Sequence, residues 1–332
     1  MKQTYQVLDR TTLDPAKAAL GEFAEHVLVG LSEHPKSLSS RFFYDATGSE
    51  LFATITGLAE YYPTRCEFEI LRGHAETILG RFHDIPLDVV DVGAGDGRKT
   101  AVLLGEALRL GLDVRYVPID ISESAMDGLV KGMGERFPDL PIAGLVAEYA
   151  DGVRWLGQRG GRHNLVLFLG SNIGNFDKPA SRAFLRRLWG SLNGGDHVLI
   201  GFDLKKDIEI LLAAYNDRDG ITARFNLNLL HRINRELGAD FEVADFRHYA
   251  TYDVFSGAMV SYLVSLAAQT VRVDAVGDCF EFAPWEPIHT EYSYKYLDSD
   301  ITSLCRHGGF VEEGRYYDER RWFCDALWRV DR

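Results

Sequence analysis

The sequence predicts an α/β protein with a doubly wound, mostly parallel sheet finished by an antiparallel C-terminal hairpin, plus a second α+β domain. Three observations predict it. Short apolar runs of strand length alternate with segments of helical periodicity from about Leu87 to Asp203. The first of these runs leads directly into a glycine turn, VGAGDG, and then a helix. After Asp203 the alternation stops, and the stretch up to Tyr296 is too long for a crossover between strands, so it reads as a domain of its own.

From Pro15 to about Leu31 the apolar residues Ala18, Ala19, Leu20, Phe23, Val27 and Leu31 recur at helical spacing. The stretch FFYDATGSELFATITGLAEYY places tyrosines beside Gly48, Gly57 and Pro63, at element ends where hydroxyls face a cleft as readily as rings fill a core. Pro63 and Thr64 open a helix that runs to about Phe82. LDVVDV, the glycine turn and TAVLLGEAL form a β-loop-α unit. The second strand, DVRYVPID, ends in Asp120, and the helix SESAMDGLVKGMGERF follows with Ser122 as its cap. PIAGLVAEY is a third strand ending near Glu148. NLVLFLGSNIGNF is a fourth that ends in small polar residues, and DHVLIGFDL, after the helix SRAFLRRLWGSL, is the fifth. Such alternation implies right-handed crossovers and a parallel sheet. A helical stretch from Lys205 to Leu237 and a β-rich run from about Asp245 to Glu281 make up the insertion, and a helix around Ser299 to Arg306 returns the chain. GFVEEGRYYD and RRWFCDALWRV form the closing hairpin. The expected domains are therefore 62–203 with 297–332, and 1–61 with 204–296.

At 332 residues, with 46% hydrophobic and 26% charged residues, the chain has ordinary globular composition and a sizeable core. A formal net charge of −13 repels phosphate backbones and anionic lipid, which argues against nucleic-acid and membrane partners. Cys66, Cys279, Cys305 and Cys324 form no CxxC pair and have no histidine at ligand spacing, so reduced thiols and no metal site are expected. The N-terminus lacks the apolar region of a signal peptide, and no segment approaches the roughly 20 apolar residues of a membrane span. A cytoplasmic monomer is the expectation.

Gly93, Gly95 and Gly97 follow a buried strand directly, where missing side chains let a ligand lie against backbone amides at a helix start. The dinucleotide fingerprint GxGxxG wants glycine at position 98, where this chain has Arg98. The GxGxG form suits S-adenosylmethionine, which has no pyrophosphate; a nicotinamide dinucleotide is the competing ligand. Asp120, at the carboxyl end of the second strand, is where open α/β folds place an acid that accepts two ribose hydroxyls, although the same residue could begin a turn or cap a helix. Glu148 and Tyr149 fall near an adenine edge, or else are an exposed acid and a packing ring. Lys99 follows the loop and either pairs with a ligand carboxylate or is solvated.

FYDATGSELFATITGLAEYYPTRCEFEIL, VGAGDGRKT, VLFLGSNIGNF and HTEYSYKY run in collinear order and span nearly the whole chain. Together they resemble the histidine Nα-methyltransferases of ergothioneine biosynthesis. The resemblance implies a class I, Rossmann-like methyltransferase domain and a second domain built from the N-terminal helices and the insertion, with the amino acid bound between them. It implies methylation of the α-amino group of free L-histidine by S-adenosylmethionine, to the trimethylated betaine hercynine. By the same resemblance Asn175 and Tyr215 hold the substrate carboxylate and Tyr61 faces the α-amine, which makes Tyr61 and Asn175 the expected catalytic pair. Glu291 and Ser293, with Tyr44, address the imidazole, and Gly93, Lys99, Asp120, Glu148 and Tyr149 fall on cofactor positions.

The residue chemistry is compatible with those roles. An amide and a phenol both donate to a carboxylate, and a carboxylate such as Glu291 accepts from an imidazole nitrogen. Alternation in TEYSYKY puts Glu291 and Ser293 on one face of a strand, an arrangement that a solvent-facing strand also shows. Two positions depart from the family's pattern: Glu148 stands where aspartate is common, and Ser261 of MVSYLVS stands where a methionine packs near the ring. Another free amino acid, or a derivative of histidine, is the alternative substrate that Ser261 suggests.

Overall fold

In the computed structural model the described residues are 3–7, 15–120, 123–147, 149–156 and 161–332. Their strands in chain order begin with β1 (Thr4–Val7), β2 (Leu87–Val92), β3 (Val114–Asp120), β4 (Ala143–Val146), β5 (His163–Phe168) and β6 (His197–Asp203). β7 (Phe246–Asp253), β8 (Ala258–Ser265), β9 (Gln269–Val273), β10 (Asp278–Phe282) and β11 (Pro287–Tyr294) follow, and β12 (Phe310–Tyr317) and β13 (Phe323–Val330) close the chain. The chain divides into two compact units, one of Met1–Asp9, Pro63–Lys205 and Tyr294–Arg332, the other of Arg10–Tyr62 and Lys206–Ser293.

The first unit carries an eight-stranded sheet in the order β1-β4-β3-β2-β5-β6-β13-β12. Its pairs from β1 to β6 are parallel, and β13 pairs antiparallel with both β6 and β12. Every residue of β2 and β6 is buried, as expected of central strands with helices on both faces, and this is why their sequences read as continuous rather than alternating apolar runs. Val90, Val92, Val166, Phe168, Ile200 and Trp328 share one core cluster, and full burial of each large side chain is worth about 1.5–3 kcal/mol. From β2 the chain winds outward through β3 to β4, then returns to the other side of β2 with β5. The order reverses between β2 and β5, and in open α/β sheets the crevice at the carboxyl ends of such strands takes the ligand. This architecture is the class I methyltransferase arrangement with one strand added at its edge.

That added strand departs from the sequence reading, which grouped 1–61 with the second domain. β1 pairs in parallel with β4, Thr4 opposite Ala143 and Val7 opposite Val146, so these residues belong to the sheet. Four residues, mostly exposed, carry too little periodicity to announce an edge strand. Two smaller differences have local causes. Gly21 takes a non-helical conformation (φ 69°, ψ 144°) that breaks the helix Pro15–Ser32, and β4 stops at Val146, short of Glu148.

The second unit is α+β. β7 and β8 form an antiparallel pair, β8 lies between β7 and β11, and β9 and β10 form a separate antiparallel ribbon. The helices Pro15–Ser32, Ala46–Ile55, Ile208–Tyr215 and Ile221–Leu237 belong to it. Phe43, Phe225, Leu229, Ile233, Leu263 and Phe282 belong to its core cluster, with the rings of Phe43 and Phe225 edge to face at 4.8 Å. Among the described residues no helix is long and apolar enough to cross a membrane.

Candidate active site

The glycine turn after β2 takes its shape from three positive φ angles: 78° at Gly93, 53° at Gly95 and 66° at Gly97. A Cβ on Gly97 would lie 2.4 Å from Leu129 Cδ1 and 2.6 Å from Met133 Cε, so this glycine lets the helix Glu123–Arg136 pack against the turn. Gly95 has a different reason. Among the described residues a Cβ there would meet nothing within 4 Å, so the exposed backbone of this turn has an open side. The Gly95 amide donates to Asp120 Oδ2 at 3.0 Å and the Gly93 amide to the Ile119 carbonyl at 2.8 Å, which fixes the turn to the tip of β3. Arg98 is turned back onto the Asp96 carboxylate at 2.6 Å.

Beneath the turn, Asp91 accepts from the hydroxyls of Thr100 and, at 3.1 Å, Tyr116, joining β2, β3 and the first turn of the helix Thr100–Arg109. Burial pushes its carboxyl up to about 6, against the pull of those two hydroxyls. The sequence reading did not single out Asp91, because an acid within an apolar strand run looks like a local interruption until its partners are known.

Lys99 is not a solvated cation. Its ammonium pairs with Glu67, a fully buried carboxylate from the helix Tyr62–Leu79, whose oxygens also accept the Gly170 amide at 2.8 and 3.0 Å. Gly170, at the tip of β5, has φ 74°. Glu67 therefore clasps the loop after β2 to the loop after β5, and nothing in the spacing around it announces this. Glu148 lies outside the described residues. Tyr149 opens the helix Tyr149–Leu156, but its side chain is likewise outside them.

After β5 the chain turns through Ser171 (φ 58°) into a short 3-10 helix, Asn172–Asn175, which leaves Asn175 exposed. The turn is held from three sides. The Ser171 hydroxyl accepts the Asp203 amide at 3.1 Å, the Tyr296 hydroxyl donates to the Ile173 carbonyl at 3.1 Å, and a Cβ on Gly174 would come within 3.0 Å of the Tyr294 carbonyl oxygen. Beside it, Lys295 and Asp203 form an ion pair at 2.9 Å with almost no exposure.

In the second unit Tyr44 and Tyr61 flank Phe52, edge to face at ring distances of 5.5 and 6.3 Å. The neighbouring motif residues explain how Tyr44 is placed. Asp45 caps the helix Ala46–Ile55 by accepting the Gly48 amide at 2.7 Å, and it also accepts Asn228 at 2.8 Å and Arg235 at 2.5 Å. Burial alone would raise its pKa, but these donors outweigh burial and hold it below the usual value. A Cβ on Gly48 would strike the Phe43 carbonyl at 1.7 Å, so the motif's Asp and Gly are structural supports for its Tyr.

Tyr215 ends the helix Ile208–Tyr215, and its hydroxyl lies 2.6 Å from Ser293 Oγ. The structure thus joins two residues that the resemblance had assigned to opposite ends of the substrate. The Tyr215 carbonyl accepts from His248 Nε2 at 3.1 Å, and burial holds the His248 ring below its usual pKa, in the neutral form. On β11, Glu291 is half-buried and Ser293 buried. The strand is anchored by the Thr290 hydroxyl, 3.0 Å from the Ser261 carbonyl and 3.1 Å from Asn226 Oδ1. Ser261 itself is buried.

Residues 23–330 match the family described as "Histidine-specific methyltransferase, SAM-dependent". The chain belongs to this family. It is 37% identical to the histidine N-alpha-methyltransferase of Mycolicibacterium smegmatis over 295 residues, 89% of this chain and 90% of that protein. It is 38% identical to the histidine N-alpha-methyltransferase of Mycobacterium tuberculosis over 283 residues, 83% of this chain and 87% of that one. Ergothioneine biosynthesis protein 1 of Schizosaccharomyces pombe is 30% identical over 84% of this chain and 37% of its own, longer length.

The groups present in this methyltransferase fit S-adenosylmethionine. The open side of Gly95 admits a ligand against the backbone. Asp120 brings acceptor oxygens to the tip of β3, and Lys99 brings a cation to the glycine turn. Neither Arg98, committed to Asp96, nor the glycine spacing serves a pyrophosphate. Among the described residues no cluster of His, Cys, Asp or Glu is arranged to hold a metal ion.

Proposed function

We propose that this methyltransferase converts free L-histidine to hercynine by methylating the α-amino group three times. What carries the reading is the match to the histidine-specific family over residues 23–330. The chemistry of Glu291 and Ser293 adds to it. Tyr215 donates to Ser293 at 2.6 Å, and a serine hydroxyl is both a donor and an acceptor, while a Glu291 carboxylate only accepts. A neutral imidazole has one N–H and one bare nitrogen, so this acceptor and donor suit its two nitrogens. In this arrangement Tyr215 supports Ser293, a different task from the carboxylate contact that the resemblance implied.

S-adenosylmethionine, when bound, supplies an electrophilic methyl group on sulfur for in-line displacement. The chain's tasks are positioning and proton control. The attacking amine needs a free lone pair, although in water an amino acid is mostly an ammonium ion. A partly desolvated setting lowers that pKa, and the Tyr61 phenol accepts a hydrogen bond from the amine or passes its proton to water. The Asn175 amide donates to the substrate carboxylate, with Tyr44 beside the ring. We further read the enzyme as a cytoplasmic monomer with neither nucleic acid nor membrane as partner, which the net charge of −13 supports.

The test is mass spectrometry of the protein incubated with S-adenosylmethionine and an equimolar mixture of free amino acids. Histidine gaining three methyl groups is the expected result; a gain confined to another amino acid overturns the substrate.

A further inference from the structure

Two buried carboxyl groups and one partly exposed ammonium lie together near the tips of the central strands. Glu67 and Asp325 are both fully buried, and Lys99 is the cation beside them. Asp325 on β13 lies opposite Gly201 on β6, and a Cβ on Gly201 would come within 2.4 Å of Glu67 Oε1. Glycine at 201 thus leaves room for the Glu67 carboxylate against the sheet. Glu67 is well served, with the Gly170 amide and the Lys99 ammonium, whereas among the described residues neither oxygen of Asp325 makes a hydrogen bond.

We propose that Glu67 is a positioning residue for S-adenosylmethionine, holding the Lys99 ammonium and, through the Gly170 amide it accepts, the loop after β5 beside the amino-acid end of the cofactor. The argument is geometric. Lys99 sits on the loop after β2 and Gly170 on the loop after β5, the two strands where the sheet order reverses, and a single carboxylate fixes both. An ammonium has three donors, so Lys99 can hold Glu67 and still offer a proton to a ligand carboxylate. Its long side chain would otherwise lose several rotors on binding, and anchoring it beforehand removes that cost. At Asp325, burial, then the neighbouring Glu67, push the carboxyl well above the usual range, and of the two acids Glu67 is the one that pairs with Lys99.

The inference rests on the cofactor reading, which the wild-type affinity for S-adenosylhomocysteine tests by itself. The experiment is calorimetric titration of that product into wild type, Glu67→Gln, Lys99→Met, the double variant and Asp325→Asn, with thermal melting as the folding control. Loss of a charge-assisted contact corresponds to a fall in affinity of about 10-fold to 100-fold for either single variant. If Glu67 acts through Lys99, the double variant binds within about twofold of the weaker single one. Asp325→Asn, at a side chain that hydrogen-bonds to neither Lys99 nor Gly170, binds as wild type. KM for histidine stays unchanged in Glu67→Gln while KM for S-adenosylmethionine rises, a split that general loosening of the fold would not give. Glu67→Asp keeps the charge but withdraws it by one methylene; it serves if the glutamine variant does not fold, and an intermediate loss is expected. Wild-type affinity in either Glu67 variant, additive losses in the double variant, or a loss in Asp325→Asn equal to that of Glu67→Gln overturns the proposal.

Discussion

In the proposed reading Glu291 and Ser293 on β11, with Tyr215 behind Ser293, select the substrate. Replacing Glu291 with alanine removes an acceptor for the imidazole N–H, and kcat/KM for histidine is expected to fall about 10-fold to 100-fold while residual turnover of amino acids lacking that ring is unchanged. Steady-state assays across a small amino-acid panel check this; undiminished histidine turnover would remove Glu291 from ring recognition. The 2.6 Å bond from Tyr215 to Ser293 makes a second prediction, because a residue acting through another has no separate effect. Tyr215→Phe combined with Ser293→Ala should therefore be no slower on histidine than Ser293→Ala alone. Multiplying defects would give Tyr215 its own contact with substrate. At this scale the sequence was legible in the turn after β2, where Gly93, Gly95 and Gly97 all take positive φ. It was opaque for Glu67, Asp91 and Lys295, whose partners lie far along the chain and whose neighbours show no telling spacing.

Between strand and helix, the acid on β2 ties pH to stability. With its carboxyl raised to about 6, Asp91 holds a proton in the folded protein that it gives up at a lower pH when unfolded. Its contribution is thus most favourable below about pH 4 and declines as pH rises towards 6, by up to about 3 kcal/mol, after which it is flat. Asp91→Asn removes this titration. The stability difference between wild type and variant, from denaturant unfolding at several pH values, should shift against the wild type over that interval and stay level above it; a difference independent of pH refutes the assignment. The strands themselves were readable because continuous apolar runs such as LDVVDV and HVLIGFD are what doubly covered strands require. β1 was not, since an edge strand of four residues is defined by its neighbour β4 more than by its own side chains.

Over the whole molecule, the division into two units, each with its own core, predicts how a ligand's effect is distributed. Hydrogen exchange with saturating S-adenosylhomocysteine should slow the amides of 93–100 and 170–175, at the tips of β2 and β5, and leave those of Ile221–Leu237 unaltered. Protection concentrated in that helix would contradict a cofactor site on the sheet. The order of units along the sequence was visible in the change of rhythm after Asp203, but the sheet order was not, because pairing depends on which edges meet. That order matters before the enzyme has done any chemistry. β13 is the partner of β6, yet residues 204–322 separate them, so a ribosome making 5–20 residues per second leaves the β6 edge unpaired for on the order of ten seconds. HVLIGFD, apolar and fully buried in the finished protein, is during that interval an open template for another nascent chain. Yield of soluble enzyme should then be governed by translation speed and chaperone supply, and a stop codon before Phe323 would leave that edge open for good.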